Sequence, residues 1–131
     1  MIELKIQSHA RDELISISHL IEETAGVRKW RNGVVTIFVP HTTAGVTIQE
    51  NADPDVLRDV LHALNRMVEW NDPAYQHMEG NSAAHVKASL MGSSVQCLVE
   101  DGRLCLGTWQ GVFFAEFDGP RSRKIWVSWA G

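Results

Sequence analysis

The chain opens on strict alternation, with Ile2, Leu4 and Ile6 separated by Glu3 and Lys5, the period-two pattern of a strand that buries one face. Apolar residues then recur as Leu14, Ile17, Leu20 and Ile21, a spacing that predicts a helix stopped by Gly26. Val34 to Val39 is a β-branched and aromatic run ended by Pro40. The polar segment His41-Thr42-Thr43-Ala44-Gly45 and a second short run, Val46-Thr47-Ile48, come next, so two strands flank a shaped loop. At Asp53-Pro54 a side chain able to cap free N–H groups precedes proline at the first helical position, where its missing donor does no harm. Val56, Leu57, Val60, Leu61, Leu64, Met67 and Val68 then mark one apolar face of a helix that Trp70-Asn71-Asp72-Pro73 closes. A third helix is predicted over Ser82 to Met91, with Gly92 as its C-terminal stop.

Beyond Gly92 the pattern changes. Ser93 to Glu100, Arg103 to Leu106, Val112 to Phe117 and Lys124 to Trp129 read as strands separated by Gly-containing turns, an antiparallel meander. Segregated strands with interspersed helices predict an α+β fold, antiparallel sheet layers with two or three helices, rather than a βαβ parallel sheet. No repeat, linker or low-complexity tract divides the 131 residues, and one domain over 1–131 is expected.

Composition narrows the function. With 44% hydrophobic and 21% charged residues the chain has the make-up of a globular protein, and its formal charge of -4 gives it no electrostatic reason to bind nucleic acid. No apolar run approaches the length of a membrane-spanning helix, and the alternating N-terminus has no uninterrupted apolar core of a secretory signal, so a cytoplasmic protein without a membrane partner is expected. Cys97 and Cys105 flank Asp101-Gly102, a hairpin dipeptide that would pair Cys105 with Leu98 and set the two thiols on opposite sheet faces. Two free thiols and no disulfide follow.

Groups able to bind or react concentrate in three segments: Pro40 to Gly45, His77 to His85, and Gly107-Thr108-Trp109-Gln110. His41, His77 and His85 supply three imidazoles, the ligand set of a zinc that keeps its fourth position open, although neither HExxH nor a short His pair is present. The alternative is that some of them cap or hydrogen-bond. His9, His19 and His62 lie in or beside amphipathic elements and are expected to face solvent. Among the acids, Asp53 reads as a helix cap, Glu116 and Asp118 as neighbours on one strand face, and Glu79, between two histidines in a Gly-containing loop, as the best general base. A helix starting at Asn81 or Ser82 would aim free N–H groups at an anion. Arg121 and Arg123 would share one face of the closing strand, as phosphate forks or as an edge-strand charge pair.

These segments resemble the YjbQ-like family, small proteins often described as secondary thiamine-phosphate synthases. The resemblance rests on His41-Thr42-Thr43-Ala44, Gln49-Glu50-Asn51-Ala52-Asp53-Pro54-Asp55, His77 with Glu79-Gly80-Asn81-Ser82-Ala83-Ala84-His85, Gly107-Thr108-Trp109-Gln110, and Glu116 through Arg123, and spans nearly the whole chain. It implies an α+β fold with antiparallel sheet, a homotrimer, and weak synthesis of thiamine phosphate from hydroxymethylpyrimidine diphosphate and a thiazole phosphate, with release of pyrophosphate. On that basis His41, His77, Glu79 and His85 are the expected catalytic residues. Thr42, Thr43, Asn81, Ser82, Gln110, Arg121 and Arg123 are the expected contacts to a phosphorylated small molecule, and the cofactor is zinc on the three histidines or magnesium carried with the phosphate. Two other readings fit the same residues: a metal-dependent hydrolase of a small ester, amide or phosphoester, and a non-catalytic trimer that binds a small ligand or anion.

Overall fold

The computed structural model describes residues 1–131. Two antiparallel sheets and three helices run in the order β1 (Ile2–Gln7), β2 (Glu13–Ser16), α1 (Ser18–Arg28), β3 (Gly33–Phe38), β4 (Ala44–Glu50), α2 (Pro54–Met67), α3 (Ser82–Met91), β5 (Ser94–Glu100), β6 (Arg103–Leu104), β7 (Gln110–Glu116) and β8 (Ser122–Ala130). The larger sheet has strand order β1-β8-β3-β5-β6 and the smaller β2-β7-β4. The α+β expectation holds, and no helix is long and apolar enough to cross a membrane.

Three local expectations need correction. Leu14 belongs to β2, where it pairs with Ala115 of β7, so the helix begins only at Ser18. The recurrence of Leu14, Ile17, Leu20 and Ile21 merged a strand residue with helix residues that bury toward the same core. Nor does Gly26 end α1, which continues to Arg28 and closes on Lys29 in the left-handed conformation, φ 60°. The C-terminal strands are not a meander either. Only β5 and β6 form a hairpin; β7 joins the smaller sheet between β2 and β4, while β8 returns to the larger one between β1 and β3. Sequence-adjacent strands usually neighbour one another in space, but β7 is the apolar middle strand of the smaller sheet and β8 an interior strand of the larger one.

Strand alternation accounts for the layering. Val35, Ile37, Ile125 and Val127 of the larger sheet and Val46, Val112 and Phe114 of the smaller one bury against each other, with Ile17 and Ile21 closing the α1 side. The other residues of β7 face outward: Ala115, followed by Phe117, packs with Leu64 of α2 and Ala84 and Ala88 of α3. Each such side chain contributes roughly 1.5–3 kcal/mol of transfer free energy when fully buried, so a central strand that is apolar on both faces joins the layers. Lys87 of α3 is buried too; its Nζ donates to Asp12 Oδ1 at 2.9 Å and to Asn65 Oδ1, beneath the ring of Trp70. That contact ties α3 to α2 and to the segment before β2.

Asp53 caps α2 by accepting the Asp55 N–H at 2.9 Å, with Pro54 at the first turn. At the β5–β6 hairpin the Cys105 N–H donates to the Leu98 carbonyl, and the thiols of buried Cys97 and exposed Cys105 are both free.

Candidate functional site

One cavity of about 680 Å³ brings together loops that are remote in sequence. His41, Thr42 and Thr43 reach it from the β3–β4 connection, His77, Glu79 and Asn81 from the α2–α3 connection, His85 from the first turn of α3, Arg121 from the approach to β8 and Arg123 from β8 itself. His9, His19 and His62 are exposed elsewhere.

The wall beneath Thr43 is an ionic network. Glu116 and Arg123 lie in phase with Val112 and Phe114 on β7 and with Ile125 and Val127 on β8, so strand alternation drives both charges between the sheets. There the Arg123 guanidinium donates through Nε to Glu116 Oε1 at 2.8 Å and through Nη2 to Oε2 at 2.5 Å. Nη2 also donates to the Thr43 hydroxyl at 2.7 Å. The carboxylate accepts further from the Ser8 hydroxyl and from the N–H groups of Phe117 and Asp118. Burial alone would raise the Glu116 pKa, but the donors from Arg123, Ser8 and Asp118 outweigh it and hold the group below the ordinary carboxylate value. Arg123 is thus a buried support of the wall, and it does not stand beside Arg121 as one of two free phosphate forks. Arg121 precedes β8 rather than sharing its face, and its exposed guanidinium pairs with Asp118 at 3.1 Å.

His41 is held at the junction of this wall and the larger sheet. Its Nε2 accepts the Lys124 N–H at 3.0 Å, which requires a lone pair there and places the proton of the neutral ring on Nδ1. Burial, then the positive charge of Arg123, lowers its pKa below the ordinary imidazole value. A neutral ring at physiological pH follows.

The opposite wall is more exposed. His77 and His85 meet edge to face with ring centroids 5.5 Å apart, and His77 Nε2 lies 4.0 Å from Glu79 Oε2. Gly80, at φ 73°, makes the left-handed turn that delivers the chain into α3, a conformation most side chains resist. Asn81 stands at the N-cap of that helix, yet its side chain turns away from the helix and its Nδ2 donates to Asp118 Oδ2 at 2.8 Å. Its Oδ1 is buried without a partner. The first turn of α3 consequently lacks a side-chain cap; Ala84 and His85 donate their N–H groups to the Asn81 carbonyl, and the remaining ones belong to Ser82 and Ala83, which do not line the cavity.

Two expected contacts fall outside the cavity wall. Ser82 is half-buried at the start of α3 without lining the cavity. Gln110 opens β7 opposite Glu50, its Oε1 accepting the Gly107 N–H at 2.8 Å. At about 3.4 Å per residue, β7 sets Gln110 some 20 Å from Glu116, so the Gly107-Thr108-Trp109-Gln110 turn is at the far end of the strand from the site. The three imidazoles share the cavity but do not form a ligand triad, since no group of three or more His, Cys, Asp or Glu side chains is placed to hold a metal ion.

Comparison with known proteins agrees with this architecture. A family model described as UPF0047 protein YjbQ-like matches residues 2–131. The UPF0047 protein YugU of Bacillus subtilis is 47% identical over 98% of this chain and 97% of its own, and a UPF0047 protein of Methanocaldococcus jannaschii is 45% identical over 100% and 94%. A crystal structure of an uncharacterized conserved protein of the YjbQ/UPF0047 family from Clostridium acetobutylicum superposes with a TM-score of 0.95 at 48% identity, covering 99% of this chain and 100% of that one.

Proposed function

The chain belongs to the UPF0047 YjbQ-like family, and from that premise we propose that it is an enzyme acting on phosphorylated small molecules, with thiamine-phosphate formation among its activities. The observation that carries the reading is the convergence of His41, His77, His85 and Arg121 on one cavity. In the reaction the family resemblance implies, hydroxymethylpyrimidine diphosphate is joined to a thiazole phosphate and pyrophosphate leaves. Stabilising that departing charge is the main electrostatic demand. Arg121 suits the phosphate oxygens, Thr42 and the Nδ1–H of neutral His41 add donors, and His77, His85 and Glu79 are the candidates for proton transfer.

Zinc on three histidines does not fit the side-chain arrangement, and no step is routed through it. Glu79 and Asp118 are the oxygen donors on the wall, the ligand type of magnesium that arrives with a diphosphate.

Assembly as a homotrimer belongs to the same proposal. Val86 and Leu90, one helical turn apart on α3, are 40% and 61% exposed, an apolar strip next to the site that a second subunit would cover.

The deciding experiment is product analysis of the purified chain. Pyrophosphate released only when both thiamine precursors are present supports the transfer reading. Cleavage of a single phosphoester or carboxylic ester without a second substrate would replace it with hydrolysis.

A further inference from the structure

Behind His41 lies a second cavity, of about 500 Å³, on the outer face of the larger sheet, whose eight lining residues include Glu3, Lys5, His41, Arg123 and Lys124. Its central feature is a pair of like charges. Lys5 of β1 and Lys124 of β8 are direct partners in the antiparallel register, so both side chains rise from the same face with Cβ atoms roughly 4.5–5.5 Å apart, an arrangement that costs stability unless something negative lies between them. Glu3 offsets only part of that charge. Its carboxylate stands 3.6 Å from Lys124 Nζ and also accepts the Trp126 indole N–H, whereas Lys5 has no carboxylate within ion-pair distance. Arg123 also lines this cavity, but its guanidinium is buried in the Glu116 pair between the sheets.

We infer that Lys5 and Lys124 form a second anion subsite, which takes a phosphate or carboxylate group and is joined through His41 to the cavity of His77, His85 and Arg121. His41 lines both cavities, and its ring is fixed by the backbone N–H of the same Lys124 whose side chain would hold the anion. The inference deepens the proposed function and rests on it: a reaction between two phosphorylated substrates, or on one substrate carrying two anionic groups, needs two positively charged stations flanking the reacting centre. A hydrolase of a monoester needs one.

Calorimetric titration of the full chain with inorganic phosphate, at low ionic strength, tests the assignment. Two phosphates per subunit are expected for the unaltered protein, one for the Lys5→Gln/Lys124→Gln double variant and one for Arg121→Gln. Both lysines are on the outer face, and the His41 contact uses only the Lys124 backbone, so the substitutions should leave the thermal midpoint essentially unchanged. The single Lys5→Gln variant, at a more exposed position, provides the same comparison if the double variant is destabilised. Unchanged stoichiometry and affinity in the lysine variants, with loss of a site only in Arg121→Gln, would overturn the second subsite and leave the proposed function standing. Absence of any phosphate binding by the unaltered protein would overturn both.

Discussion

Glu116 and Arg123 face each other from interior strands of two different sheets, and each spends its charge on the other through two hydrogen bonds. Both are almost wholly buried, so the pair fastens the sheets together where the cavity begins. Removing one partner leaves an uncompensated buried charge, a loss of about 3–5 kcal/mol, whereas replacing both with apolar residues of similar volume is far less damaging. Denaturant unfolding should therefore rank Arg123→Ala and Glu116→Ala as severely destabilised and Glu116→Leu/Arg123→Met well above either. Equal losses in all three would mean that packing, not charge, dominates here.

The same pair sets an acid limit. Glu116 has a depressed pKa in the folded chain, so its stabilising contribution is complete above the unfolded carboxylate value of about 4.3 and disappears as the pH falls through the folded value. Glu116→Gln should flatten the decline of stability with pH in that acid window while lowering stability near neutrality. A decline as steep as that of the unaltered protein would assign the acid sensitivity to other carboxylates.

Arg121 and Arg123 differ by two positions and by their function. Arg121 is exposed and borders the cavity, so Arg121→Ala should weaken phosphate binding at that site by roughly ten- to a hundredfold, the order of one lost charge-assisted contact of roughly 1.5–3 kcal/mol, and change stability by less than about 1 kcal/mol. Arg123→Lys should do the reverse, because a single ammonium cannot reproduce the fork. Parallel calorimetry and thermal unfolding would reveal the crossing pattern or its absence.

His41 allows a test by titration. Burial and the charge of Arg123 lower its pKa, so folded protein keeps the ring neutral at pH values where the unfolded chain binds a proton. The resulting stability is complete above the unfolded value of about 6.5 and is lost as the pH falls from there to the folded value. An NMR titration should place the His41 midpoint below 6.5, and His41→Asn should remove that part of the pH dependence. A midpoint at or above 6.5 would contradict the neutral-ring assignment.

Much of this was legible in the residues. The α3 boundaries, the Asp53 cap and the β5–β6 hairpin follow from local chemistry, and the first two of the three reactive segments did converge. What resisted reading was long-range. That β7 and β8 would enter different sheets depends on which faces they bury, and both carry apolar runs. The buried charges left a signal all the same: Arg123 alternates in phase with Ile125 and Val127, Glu116 with Val112 and Phe114, and Lys87 falls at i+3 and i+4 from Ala84 and Ala83. A charge in phase with core residues marks a buried partner elsewhere in the chain, and read that way Arg123 would have been assigned to the wall and not to the ligand. Gln110 misled because motif proximity says nothing about which end of a strand faces the site.

Metal content is the remaining test of the histidines. A catalytic zinc needs about three donors with free lone pairs at roughly 2.0–2.1 Å from one point. His41 Nε2 already accepts the Lys124 N–H, and His77 and His85 do not join it in a group of three placed to hold an ion. Assembling a zinc site through Nε2 would require the His41 ring to break its backbone hydrogen bond. Elemental analysis of protein purified without an affinity tag is therefore expected to find well under one zinc per chain, and added zinc should leave the thermal midpoint of His77→Ala and of the unaltered protein shifted equally. Stoichiometric zinc that disappears in His77→Ala and His85→Ala would show that the rings rearrange around the ion, and would restore the hydrolytic reading of the cavity.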